Sequence, residues 1–306
     1  MIESLVRPMF DGPVDIVGDV HGEIDALNSL LSHLGYDSNG AHPDGRRLVF
    51  LGDLTDRGPD SPAVVDLVQR LVEVERAQCV LGNHDLNILL GYRKHDNHWF
   101  YGEEWALDGS DQMTPAVLAD DVTRQRVRAF FGTLPLALER EDLRVVHACW
   151  NEAAIETVRH ESDAAAVYKE HATRIECELK SIPHIDEKLI ERELQNRNPV
   201  KRLTSGPERI ALKSFESAGK VRSLEREPWW FDYAINSGAF CVFGHYSTFR
   251  GEPRSSATAF CADYAVARRW KERKAGQENN FQGLLGAVRF PEKVVVFDSG
   301  ATEKIQ

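Results

Sequence analysis

The chain of 306 residues carries 48 acidic against 37 basic side chains, a formal net charge of −11, with 42% hydrophobic and 28% charged residues. This is a globular composition long enough to bury a proper core, and the acidic balance argues against general nucleic-acid binding, because phosphate backbones are repelled. Five scattered cysteines without a CxxC pair, no basic-then-apolar leader and no apolar run near the ~18 residues of a membrane span make a reduced, cytoplasmic protein without membrane partners the expectation.

Val14–Val17 reads as a short buried strand, after which Ile24, Leu27, Leu31 and Leu34 recur at helical spacing. Leu48–Leu51 is a second strand. Ser61-Pro62 reads as an N-cap with a first-turn proline, and Val64, Leu67, Val68 and Leu71 continue that helix. Cys79–Leu81 is a third strand. The βαβαβ order predicts a largely parallel sheet covered by helices, an α/β fold. Leu143–Val146 adds a strand, and then the character changes. Residues 151–198 are highly charged with helical spacing (Tyr168, Ala172, Ile175, Leu179), and 199–227 look irregular. Strands resume at Cys241–Phe243, Ala257–Cys261, Leu284–Phe290 and Val294–Phe297, the last two joined by a Pro291-Glu292-Lys293 turn. Lys271–Asn280 reads as a polar loop. The chain is thus expected to be one domain, 1–306, interrupted by a helical insertion at 151–232.

The chemistry sits at the strand ends. "GDVHG" follows the first strand and places Asp19 and His21 two residues apart, on the same side of an extended backbone. "GDLTDRG" follows the second and supplies Asp53, Asp56 and Arg57. "GNHD" follows the third with Asn83, His84 and Asp85. His147 and His245 end two more strands. Ligands in open α/β sheets gather at the carboxyl ends of strands. Asp19, His21, Asp53, Asn83, His147 and His245 form an oxygen- and imidazole-rich set without thiolates, suited to manganese, iron, zinc or magnesium. Six side chains exceed one tetrahedral site, and a carboxylate shared by two ions accounts for the number.

These motifs, in this order, resemble the calcineurin-like metallophosphoesterases, whose fold is a β-sandwich flanked by helices; here an inserted helical cap is expected. Asp56-Arg57-Gly58, and Ser247 where a second histidine would complete GHxH, resemble the phosphoprotein phosphatase branch. "VLGNHDLNILL", "LRVVHA" and "VFGHYS" also look like the symmetrical diadenosine tetraphosphate hydrolases of that branch, although Asp263-Tyr264-Ala265-Val266 stands where their Asp-Thr-Gly would be. The resemblance implies hydrolysis of phosphate esters by a hydroxide bridging two divalent ions, manganese foremost. Asp19 and His21 would hold the first ion, Asp53 would bridge, and Asn83, His147 and His245 would hold the second. His84 would protonate the leaving group, Asp56 would orient it, and Arg57 would grip the phosphoryl oxygens. A second phosphate clamp is expected from Lys201 or Arg202. The substrate would be a phosphoprotein, a small phosphomonoester or a dinucleoside polyphosphate, the last making the protein a bis(5'-nucleosyl)-tetraphosphatase. A nucleic-acid end-processing phosphatase and a non-catalytic metal-bound scaffold are the competing readings.

Other groups read as structural. Cys149 is expected to pack and Asp85 to support the start of its helix. Pro228–Tyr233 should anchor the insertion, with base stacking as the alternative. His95 and His98 lie nearest to the expected cleft among the remaining histidines.

Overall fold

The computed structural model describes residues 3–94, 96–102, 116–217, 220–233, 238–249 and 254–305. In chain order the elements are β1 (Val6–Pro8), β2 (Val14–Val17), α1 (Ile24–Leu34), β3 (Arg47–Phe50), α2 (Ser61–Glu73), β4 (Ala77–Cys79), α3 (Asn83–Leu89), α4 (His98–Tyr101), α5 (Asp121–Thr133), β5 (Ala137–Glu139), β6 (Leu143–Val146), α6 (Glu152–Val158), α7 (Ala164–Lys180), α8 (Glu187–Asn196), α9 (Pro199–Ser205), β7 (Glu208–Ser217), β8 (Lys220–Arg226), β9 (Phe240–Phe243), β10 (Ala259–Cys261), α10 (Arg269–Lys274), β11 (Gly286–Phe290), β12 (Val294–Phe297) and β13 (Thr302–Lys304). The expected parallel order holds for β2-β3-β4. It is one half of a mixed sheet, β13-β12-β11-β2-β3-β4, and a second mixed sheet runs β1-β5-β6-β9-β10.

The two sheets pack face to face. Val14 and Ile16 of β2, Val49 of β3, Val145 of β6, Val242 of β9 and Val288 of β11 fill the space between them. Alternate residues, Val17, Leu48, Phe50, Cys241 and Phe243 among them, face outward into a second apolar cluster that includes the buried sides of α1 and α2. Strands buried on both faces read as continuous apolar runs, which is why they are legible in the sequence. The cap of α2 lies one residue earlier than expected: Asp60, not Ser61, accepts from the Ala63 N–H, with Pro62 in the first turn.

A fully buried polar residue interrupts the pattern in β2. Asp15 of β2 is fully buried and accepts from Arg46 Nε (3.0 Å) and Nη2 (2.9 Å), Arg289 Nε (3.1 Å) and Tyr36 Oη (2.9 Å). It ties β2, β11 and the segments preceding β3 together. Removing one partner of a buried ion pair strands the other charge. Asp15→Ala should therefore lower stability by roughly 3–5 kcal/mol, read from urea denaturation; a loss below about 1 kcal/mol would mean that the arginines resolvate freely.

The insertion departs from expectation. It is not all helical, because residues 199–227 form α9 and the β7–β8 hairpin. Asn198-Pro199, at the border of the stretch expected to be irregular, is an N-cap and first-turn proline: Asn198 Oδ1 accepts from the Val200 and Lys201 N–H groups. The charged hairpin hides its alternation, with Arg209 and Glu225 paired across it at 2.7 Å. Lys271–Asn280 likewise starts inside α10. None of the described helices is long and apolar enough to cross a membrane.

Candidate functional site

The loops after β2, β3, β4, β9 and β10 converge on a cleft of about 380 Å³. It is lined by Asp19, His21, Asp53, Arg57, Asn83 and His84, together with His245, Asp263, Arg226 and Arg268. His147, fully buried at the end of β6, meets this group from beneath. The turns that carry these side chains are tight. His21, Asp53, Asp56, Arg57 and His245 all take the left-handed backbone conformation, which costs non-glycine residues energy and concentrates at functional sites. Glycines permit the approach: a Cβ on Gly82 would lie 2.1 Å from Asp53 N, and one on Gly244 2.1 Å from Asp19 Oδ1.

The imidazole tautomers follow from their partners. His21 Nδ1 lies 3.0 Å from Thr55 O, and His147 Nδ1 2.7 Å from Leu51 O. A carbonyl accepts only from N–H, so in the neutral ring Nδ1 carries the proton and Nε2 keeps its lone pair. Both Nε2 atoms face one oxygen, Asp53 Oδ2, at 3.7 and 3.4 Å. Acceptor thus faces acceptor, and either a proton or a cation must intervene. Burial first, then Arg57 and His84, push His21 down to about 3, which disfavours the proton there. His147 is pushed up to about 10, burial being outweighed by Asp53, so a proton and a cation would compete for its Nε2. Asp53 sits well below the usual carboxylate range: burial opposes this, and His147 and His84 overcome it.

The donor set fits divalent cations. Asp53, His147 and His245 form one group able to hold an ion, and His21, Asp53 and His84 form another, with Asp53 common to both. The Asn83 amide lies 2.7 Å from His245 Nδ1 and 3.1 Å from His147 Nε2. With nitrogen inward it would donate to those rings and to Asp53; with oxygen inward it offers a ligand atom. Asp19 accepts from the His245 N–H at 3.1 Å. Burial, then the neighbouring Asp263, raises the Asp19 carboxyl well above its ordinary value, the signature of a buried anion lacking countercharge.

His84 stands beside this centre. Its Nδ1 is 2.6 Å from Asp56 Oδ2, and Trp99 Nε1 donates to the other Asp56 oxygen at 2.7 Å. Burial lowers the His84 pKa, but Asp96 and Asp53 outweigh it and push it up to about 9. Nε2 lies 3.1 Å from Arg57 Nη2, so that nitrogen either accepts from Arg57 or carries a proton toward the cleft. Arg57 Nε donates to Asp96 at 3.0 Å, which fixes the guanidinium. Asp85 caps the same turn, accepting from Leu54 N and Gly82 N.

Lys201 and Arg202, expected at the phosphate, do not line the cleft. Both belong to α9: Arg202 meets the buried Cys149, and Lys201 lies by Glu208 and Glu191. Cys149 itself is packed, and burial pushes its thiol up to about 12. From the insertion, Arg226 at the end of β8 reaches the cleft instead, donating to His245 O at 2.7 Å. His98 opens α4 and does not line the cleft, and His95 lies outside the described residues. In Pro228–Tyr233, Trp229 and Trp230 pack on Phe243, which fits the anchor. Asp96, Trp99, Asp263, Arg226 and Arg268 are site residues that sequence reasoning misses. Asp263 offers a signal, since it too follows a strand; the others lie in segments without a motif.

A two-sheet α/β scaffold with carboxylates and imidazoles gathered at its strand ends defines a class of metal-site proteins. The profile of the calcineurin-like phosphoesterases matches residues 12–202, and the chain belongs to that family. Among curated relatives, "Bis(5'-nucleosyl)-tetraphosphatase PrpE [asymmetrical]" of Geobacillus sp. (strain WCH70) is 33% identical over 138 residues, covering 44% of this chain and 56% of the relative. The protein of that name from Geobacillus thermodenitrificans is 47% identical over 139 residues, with the same coverage. The chain thus spans about half the length of these relatives. Two solved structures share the fold across nearly the whole chain. A cold-active protein-tyrosine phosphatase of a psychrophilic Shewanella has a TM-score of 0.54, 16% identity and coverage of 100% and 83% of the two chains. A protein serine/threonine phosphatase of Saccharomyces cerevisiae has 0.53, 16%, and 99% and 85%.

Proposed function

We propose that the chain is a metal-dependent phosphoesterase of the cytoplasm, holding two divalent ions, manganese foremost. The observation that carries this is the pair of lone-pair nitrogens, His21 Nε2 and His147 Nε2, aimed at one Asp53 oxygen while their Nδ1 atoms are locked on carbonyls. Asp19 and His21 would hold one ion, Asn83, His147 and His245 the other, and Asp53 both. When bound, such ions acidify water and neutralise phosphoryl oxygens. The chain's own groups do the rest. Arg57, fixed by Asp96, grips the phosphoryl oxygens in a bidentate fork. Arg226 stands ready as the second grip in place of Lys201 or Arg202. His84, oriented by Asp56, delivers a proton from Nε2 to the leaving oxygen. The insertion, rooted beside His147 and returning before His245, borders the cleft through Arg226 and limits what enters it.

Phosphomonoesters, including phosphoproteins, are the first substrate class, supported by the Asp56-Arg57 pair. Dinucleoside tetraphosphates are the second, supported by the curated relatives' names. The discriminating panel is p-nitrophenyl phosphate, a phosphopeptide, diadenosine tetraphosphate and a 2′,3′-cyclic nucleotide, each with Mn, Mg, Zn or Fe. Turnover of at least p-nitrophenyl phosphate is expected with manganese and is lost on chelation; no turnover of any substrate with any ion would contradict the proposal.

A further inference from the structure

Arg268 is a cation that the mechanism above does not use. It ends the short 3-10 turn Val266–Arg268 that follows Asp263 and lines the cleft. Its guanidinium carbon lies 3.5 Å from the centroid of the Phe249 ring, and Phe249 lines the same cleft. Stacking on an aromatic face holds an arginine flat and leaves its edge donors free for a planar or tetrahedral anion. The Nε is shielded from solvent and has no hydrogen-bond partner. Among the described residues no carboxylate forms an ion pair with Arg268, whereas Arg57 is paired with Asp96 and Arg273 with Glu23. Nor is the turn loose. Ala265, which precedes it, takes a left-handed conformation, donates to Asp263 Oδ1 at 2.8 Å and accepts from the Arg268 N–H at 2.9 Å. A partly buried, stacked, uncompensated cation in a cleft that already contains Arg57 and Arg226 exceeds what one phosphoryl group needs.

We propose that Arg268, stacked on Phe249, forms a subsite for a second phosphate group of the substrate, one unit beyond the phosphoryl group held at Arg57. The proposal rests on the phosphoesterase reading and deepens it. Such a subsite reverses the order of the two substrate classes above: it moves esters whose leaving group is itself phosphorylated, as in a dinucleoside polyphosphate, ahead of esters with an uncharged leaving group. The Phe249 ring sets the height and plane of the cation, and the rigid turn sets its reach. The cleft volume of about 380 Å³ falls in the range of sites that take whole small ligands.

The test compares equilibrium binding of two probes to the manganese-loaded full chain by calorimetry: a non-hydrolysable methylene-bridged dinucleoside tetraphosphate analogue, and inorganic phosphate. Wild type is measured beside Arg268→Ala and Arg268→Gln. The glutamine keeps hydrogen bonding but not charge, and thermal melts verify that both variants fold. The ratio of the two dissociation constants should shift by about tenfold or more against the analogue in both variants, the worth of a charge-assisted phosphate contact. A shift below about twofold, or a wild type that binds the analogue no better than phosphate, overturns the subsite. Binding judges the subsite whatever the turnover assays give. A wild type that binds both probes but hydrolyses no substrate rejects the phosphoesterase reading alone.

Discussion

Replacing Asp53 by asparagine is expected to cut turnover of p-nitrophenyl phosphate by about a thousandfold or more and to abolish manganese uptake, with the fold intact. The exchange is isosteric, so the bond from the His84 N–H to Oδ1, 2.8 Å long, can persist. The other oxygen becomes an NH₂. Facing the Nε2 atoms of His21 and His147, that donor meets the lone pairs that otherwise need a proton or a cation. The chelated variant should therefore melt no lower than chelated wild type, and it should lose the rise in melting temperature that manganese confers by mass action. Two ions would both lose their shared ligand, so the effect should exceed that of any single terminal ligand. Retention of substantial turnover, or of manganese binding, would reject the shared-carboxylate assignment.

His84→Ala should lower kcat by about a hundredfold to ten-thousandfold for a phosphopeptide or an alkyl phosphate. Metal content should stay near normal, because neither ion is assigned to His84: its Nδ1 is committed to Asp56 and its Nε2, beside Arg57, to the proton. The loss should be smaller for p-nitrophenyl phosphate, whose leaving oxygen needs less protonation. KM should change little, since the proton is delivered only in the transition state. Asp56→Asn should mimic it more weakly, because Trp99 Nε1 would still hold the side chain at that place. Equal losses for good and poor leaving groups would remove His84 from proton transfer and leave it a role in positioning Arg57.

The site is legible in the sequence where strand geometry and chain order do the placing. Asp19, His21, Asp53, Asn83, His147 and His245 each follow a short apolar run, and a strand end fixes where a side chain points with little help from distant contacts. The inner-face residues, Ile16, Val49, Val145 and Val242, are legible for the same reason. Residues supplied by irregular segments are not. Asp96 and Trp99 reach Arg57 and Asp56 from a stretch whose sequence has no period. Arg226 depends on the register of a hairpin whose apolar alternation is masked by charge. Lys201 and Arg202 are misplaced from sequence because Asn198-Pro199 suits a loop as well as a helix start. Once it is a helix start, helical phase turns Arg202 toward Cys149, and it does not line the cleft. Asp15 lies in plain view within an apolar strand, yet its three partners come from three separate segments.

The central claim, that turnover depends on two ions sharing Asp53, is tested most directly by titrating the chelated chain with manganese while recording bound metal by native mass spectrometry and phosphate release from p-nitrophenyl phosphate in the same samples. The account predicts an inactive metal-free chain, binding that ends at two ions per chain, and activity that follows occupancy of the second. Full turnover by the metal-free chain, or full turnover reached with a single bound ion, would contradict it.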